Sequence, residues 1–153
     1  MSLFKYFNLI IIILFFASCS TPEDTTKKEM VIPDKITLLF ITQPHCPACD
    51  RLEETMKIEG VKDLLDNYFD VKKIYYGEKL PEGILPPRGT PTVYFLGLNS
   101  KILTEKMVGQ KNEEELMEYL QDALSEFKNI YHVDLIEQHD KQSQEQNESK
   151  QTL

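Results

Sequence analysis

Two cysteines stand two residues apart in the stretch TQPHCPACDRLEE, Thr42 to Glu54. At that spacing Cys46 and Cys49 can open and close as a redox pair, supply half of a metal site, or sit as two buried small apolar side chains. A zinc site needs two further ligands, and the sequence offers His45, His132 and His139, with no second Cys-x-x-Cys. The expectation is therefore no metal. The polar approach through TQPH predicts an exposed first cysteine rather than a buried pair.

The elements around the pair must hold it. KITLLFIT, Lys35 to Thr42, is a nearly continuous β-branched and aromatic run, the pattern of a strand buried on both faces. Beyond it, Cys49, Leu52 and Met56 share one face of a helix while Arg51, Glu53, Glu54 and Lys57 take the other, and Gly60 is expected to stop it. Val61, Leu64, Leu65 and Tyr68 give a second helical stripe, and DVKKIYY, Asp70 to Tyr76, reads as a strand. GEKLPEGILPPRGT, Gly77 to Thr90, is too rich in Pro and Gly for helix or sheet. TVYFLG and KILTEKMVG read as an antiparallel hairpin joined through Leu98 to Ser100. Asn112, with Glu115 three residues on, forms a capping-box pattern for a helix that buries Leu116, Leu120, Ala123, Leu124 and Phe127. NIYHVDLI, Asn129 to Ile136, is expected to dock on the domain as helix or strand. From Glu137 the chain has almost nothing to bury and is expected to be largely disordered.

The chain has 153 residues, 41% hydrophobic and 27% charged, which suits one domain with a real core. Residues 1–18, MSLFKYFNLIIIILFFAS, have the layout of a signal peptide, and their apolar block is shorter than the about 20 residues a membrane span needs. FASCS, followed by a polar STPEDTTKKE run, resembles the lipobox of bacterial lipoproteins, with Phe16 where an aliphatic residue is usual. That resemblance implies cleavage before Cys19, lipidation of Cys19 and a tether over residues 19–30. If the host has two membranes, Ser20 resembles outer-membrane sorting. Removing residues 1–18, charged only at Lys5, takes the net charge from −8 to −9. With no basic cluster, this argues against nucleic-acid binding.

The order of these features is specific: a strand, Cys-x-x-Cys opening a helix, a second helix and strand, then Gly89-Thr90-Pro91-Thr92 leading into a hairpin and a last helix. It resembles the thioredoxin fold over residues 31–127, an α/β fold with a central mixed sheet of about four strands flanked by helices. Residues 128–153 form an extension. Within that superfamily the sequence is most similar to envelope thioredoxin-like thiol-disulfide oxidoreductases, whose C-P-x-C-x-x-L-E and G-T-P-T patterns stand here as Cys46 to Glu53 and Gly89 to Thr92.

The resemblance implies roles. Cys46, at a helix N-cap, gains from free backbone N–H groups and the helix dipole, which favour thiolate over thiol and make it the nucleophile. Cys49, on the apolar face, is the resolving thiol. Pro47 fits the first helical position, and Ala48 completes the dipeptide that, with His45, tunes the couple. A protonated His45 would stabilise the Cys46 thiolate and shift the couple toward oxidant. Thr90-Pro91 is expected to be cis and to face the dithiol, with Thr90 offering its backbone to an extended substrate.

Cytosolic thioredoxins carry a tryptophan where His45 stands and a buried aspartate where Phe40 stands, so another group or water must assist deprotonation of Cys49. CPAC also lacks the histidine that strongly oxidising members place between their cysteines. No cofactor is implied beyond the Cys46–Cys49 disulfide. The implied partners are protein thiol and disulfide substrates, an upstream electron donor or acceptor, and a membrane reached through the lipid. The protein is expected to be a monomer in the bacterial envelope. Reductase is favoured over oxidant, because neither a preceding dimerisation domain nor a helical insertion of the oxidising kind is present. A lipoprotein that kept the fold only as a binding module is the alternative from another class.

Overall fold

The structure is a computed structural model and describes residues 31–151. The expected signal peptide, lipidated Cys19 and tether lie outside the described residues. Strand β1, Ile36–Thr42, is buried at every position but Thr37, as a run apolar on both faces requires. It occupies the centre of a mixed sheet of order β2-β1-β3-β4. β2, Phe69–Tyr75, runs parallel to it, and β3, Thr92–Leu96, runs antiparallel. Parallel neighbours need a crossover. Helices α1, Pro47–Met56, and α2, Glu59–Tyr68, supply it.

Gly60 does not stop α1. The helix closes at Met56, with the N–H groups of Lys57 and Ile58 folding back to Glu54 and Thr55. The extended, β-branched Ile58 makes the break, and Gly60 lies inside the first turn of α2.

KILTEKMVG is not one strand either. Asn99 and Ser100 both take left-handed φ angles, 54° and 59°, and the Lys101 N–H closes the turn on the Leu98 carbonyl. Leu96 then bridges Ile102, but Val93 pairs with Met107 and Thr92 with Val108, so four residues oppose two. Leu103 turns into the core while Thr104, Glu105 and Lys106 bulge toward water, leaving only Met107–Val108 as strand β4.

Helix α3, Glu113–Tyr131, starts on the expected capping box, with both Asn112–Glu115 bonds made. It runs one turn past Phe127 and ends at His132 in a left-handed conformation. Gly97 lies so close to this helix end that a Cβ would sit 2.5 Å from the Tyr131 hydroxyl, which accepts the Leu98 N–H.

The expected disorder from Glu137 is replaced by a helix, α4, Leu135–Gln151. Asp134 caps it by accepting the N–H groups of Ile136 and Glu137, and Leu135 docks in the core. The rest is Glu, Gln and Lys with Ile136, His139, Asp140, Asn147 and two Ser, and it holds no Gly or Pro to break a helix.

The two faces of the sheet are covered differently. Ile36, Leu38, Phe40, Val93 and Phe95 meet the apolar stripes of α1, α2 and α3 and Leu135 at the start of α4. Leu39, Ile41, Tyr94 and Leu96 face the other way and are covered by Leu80 and Ile84 of the Pro- and Gly-rich connection. The Tyr94 hydroxyl ties that connection down by donating to the Leu85 carbonyl. This is the α/β architecture that the sequence predicts.

Candidate redox site

β1 delivers the chain to the site, and a turn at Pro44 and His45 redirects it. His45 is exposed and left-handed, φ 56°, a conformation that few side chains adopt at no cost. Cys46 follows in an extended conformation as the N-cap of α1. Its carbonyl accepts the N–H groups of Cys49, at 2.9 Å, and Asp50. Its Sγ also lies 3.2 Å from the Cys49 N–H. The positive end of the helix is thus aimed at the sulfur, and Asp50 in the first turn answers the same dipole. Pro47 stands exposed at the first helical position and Ala48 packs against the core.

Cys46 and Cys49 are joined in a disulfide with Cα atoms 5.2 Å apart. Cys46 is only 6% exposed and Cys49 1%. The expected exposed first cysteine is therefore corrected. Polar neighbours in sequence do not prevent the segment around Thr90 from closing over the sulfur. The Thr90 Oγ1 lies 3.6 Å from Cys46 Sγ, and with both sulfurs bonded the hydroxyl is the donor. Thr90-Pro91 is cis. The segment is held from behind by the Gly109 N–H on the Pro91 carbonyl and by the Thr92 hydroxyl on the Gly89 carbonyl.

The structure thus gathers Cys46, Cys49, Thr90 and Pro91, with His45, Pro47 and Ala48 beside them in the chain. His132 ends α3 and His139 lies edge-on to Tyr68, each far along the chain from the cysteines. Among the described residues no three metal-ligating side chains cluster.

Sequence reasoning missed one pair. Phe40 is buried, and the Lys73 ammonium lies 5.8 Å from its ring centre. Lys73 pairs with Glu53, one helical turn past Cys49, and that hydrogen bond holds the ammonium above its ordinary pKa. The four-residue spacing from Cys49 to Glu53 is legible, but the partner on β2 follows only from the register Phe40 to Lys73.

A parallel β-α-β unit, an antiparallel hairpin, and Cys-x-x-Cys at a helix start facing a Thr-Pro segment before β3 now stand together. The fold is the thioredoxin fold. The chain's thioredoxin-like neighbours among solved structures are distant. It is similar to the periplasmic thioredoxin SoxS of Paracoccus pantotrophus in its reduced form, 20% identical over 60% of this chain and 98% of that one, with a TM-score of 0.48. The C-terminal domain of DsbD from Neisseria meningitidis, also reduced, is 19% identical over 60% of this chain and 83% of its own, TM-score 0.45. A thioredoxin from Thermus thermophilus is 20% identical over 57% and 72%, TM-score 0.42. No protein-family model and no curated protein matches the sequence.

Proposed function

We propose that this thioredoxin-fold protein is an exported, lipid-anchored thiol-disulfide oxidoreductase that reduces protein disulfides through Cys46 and Cys49. The observation that carries the reading is the position of Cys46 Sγ. It sits at the start of α1, receives the Cys49 N–H at 3.2 Å, and lies 3.6 Å from Thr90 on the opposing segment. Thiolate stabilisation and a substrate platform thereby converge on one sulfur.

In the reaction, the Cys46 thiolate attacks a substrate disulfide and one substrate sulfur leaves as thiolate. Cys46 is then joined to the substrate. Cys49 gives up its proton and attacks Cys46, forming the Cys46–Cys49 bond and expelling the second substrate thiolate. Two electrons pass to the substrate, and a donor dithiol restores the reduced pair. Thr90 offers backbone to the extended substrate, and His45, when protonated, favours the thiolate. The absence of a histidine between the cysteines of CPAC leaves an intermediate potential, and the reducing direction is part of the proposal.

Cys49→Ser should accumulate mixed disulfides with cellular proteins, identified by mass spectrometry after alkylation, while Cys46→Ser should yield none. Insulin reduction by the wild type and its loss in Cys46→Ser complete the test. Absence of both trapping and insulin reduction would leave only a binding module. A Cys46/Cys49 potential as oxidising as about −120 mV would reverse the assigned direction.

A further inference from the structure

The face of the sheet away from the helices carries a second feature beside the dithiol. Where the Gly77–Thr90 connection crosses it, a pocket of about 360 Å³ remains, floored by Ile41 and Ile84 and walled by Tyr75, Tyr76 and Leu80. That volume falls within the roughly 300–1,000 Å³ typical of ligand pockets. Tyr75 and Tyr76 are 48% and 50% exposed, so two aromatic side chains are left open to whatever enters. Their backbone is pinned. The Tyr76 N–H donates to the Thr42 carbonyl at 2.7 Å, and the Tyr75 N–H to the Glu78 carboxylate.

Two short stretches of chain link the pocket to the reaction site. Pro86 and Pro87 complete its wall, and three residues beyond Pro87 comes Thr90, 3.6 Å from Cys46 Sγ. On the other side Thr42, bonded to Tyr76, leads within four residues to Cys46. Three extended residues reach about 10 Å at most. Cys46 packs with the helix-side cluster, whereas Ile41 and Ile84 belong to the opposite face. In an extended chain successive side chains alternate between faces. A substrate strand lying along Thr90 with its cysteine toward Cys46 therefore turns residues at odd offsets toward the pocket, and an offset of three matches the reach.

The geometry points to a specificity pocket that holds an aromatic or aliphatic side chain of the substrate polypeptide, three residues from the cysteine under attack. The preferred substrates are then disulfides in extended segments flanked by an apolar residue. This inference rests on the oxidoreductase reading above and deepens it.

The test uses full-length reduced protein and short peptides, each carrying one cysteine in disulfide linkage to a small thiol, with Phe or Ser three residues to either side. Hydroxyethyl disulfide serves as a substrate with no side chain to place. The wild type should reduce the Phe peptide of one side with kcat/KM about tenfold above its Ser counterpart, the scale of burying a large apolar side chain. In Tyr76→Ser, and independently in Tyr75→Ser, that ratio should fall toward one. Phe moved to an even offset of two should lose the advantage. Equal rates for Phe and Ser peptides, or a preference surviving both variants, would overturn the pocket while leaving the redox reading intact. Failure of the wild type to reduce hydroxyethyl disulfide and every peptide would overturn the redox reading, and the pocket with it.

Discussion

The Thr90 hydroxyl lies 3.6 Å from Cys46 Sγ, close enough to act on whichever charge state the sulfur adopts. On the proposed redox reading it donates to the Cys46 thiolate in the reduced protein, and hydrogen bonds to charged groups contribute about 1.5–3 kcal/mol. Stabilising the thiolate stabilises the reduced form and makes the couple more oxidising. Thr90→Val should therefore shift the potential about 30 mV or more in the reducing direction, measured by equilibration with glutathione. An unchanged or more oxidising potential would show that the hydroxyl does not reach the thiolate. At this scale the chemistry was legible wherever the signal was local. Cys46, Pro47 and Cys49 announce themselves within four residues, and Pro91 within a tetrapeptide. That Thr90-Pro91 faces the dithiol follows from the resemblance, but that Cys46 ends up only 6% exposed was not legible, because the segment that meets it arrives from 44 residues away. The Glu53–Lys73 pair beside Phe40 was hidden for the same reason.

Helix ends carry the next tests. Both bonds of the Asn112 capping box are made at about 3 Å, so Asn112→Ala should cost about 1 kcal/mol in urea unfolding, with an unchanged m-value. Asp134 holds the start of α4 and bonds Lys128 at 2.8 Å. The Lys128 hydrogen bond first, then the backbone bond from Glu137, keeps the Asp134 carboxyl below its ordinary 3.8. A carboxylate whose folded-state pKa is depressed stabilises fully above the ordinary value and loses that contribution as pH falls through the lower folded-state value. Amide protection in α4 should accordingly fall in acid below pH 3.8, and Asp134→Ala should show the weakened protection already at neutral pH. Protection insensitive to both changes would remove the cap from the account. Periodicity and capping made α1, α2 and α3 readable, since each is written in residues three and four apart. Gly60 misled because a glycine near a helix end resembles a stop, whereas the extended Ile58 ends α1. The α4 helix was missed because a segment with little to bury was equated with disorder, whereas Asp134 caps a helix there and Leu135 docks its start in the core.

Over the whole molecule, the lipid proposal has its own test. Cys19→Ala should release the protein from the membrane fraction, and unchanged fractionation in cells would refute lipidation at that residue. Among the described residues no helix is long and apolar enough to cross a membrane, so attachment by such a helix would have to come from elsewhere in the chain. The sequence by itself determined the order of elements, the central strand buried on both faces, the helix-starting Cys-x-x-Cys and the Thr-Pro segment. Each depends on side-chain type and short spacing, which a linear chain records directly. Only the tertiary structure decided that every described helix packs on one face of the sheet, that the Pro- and Gly-rich connection covers the other, and that Cys46 is buried rather than exposed. It also decided that β4 shrinks to two residues and that a pocket opens beside Tyr75 and Tyr76. These depend on register and on contacts between residues far apart in the chain. Only packing the whole domain selects among the pairings that local pattern allows.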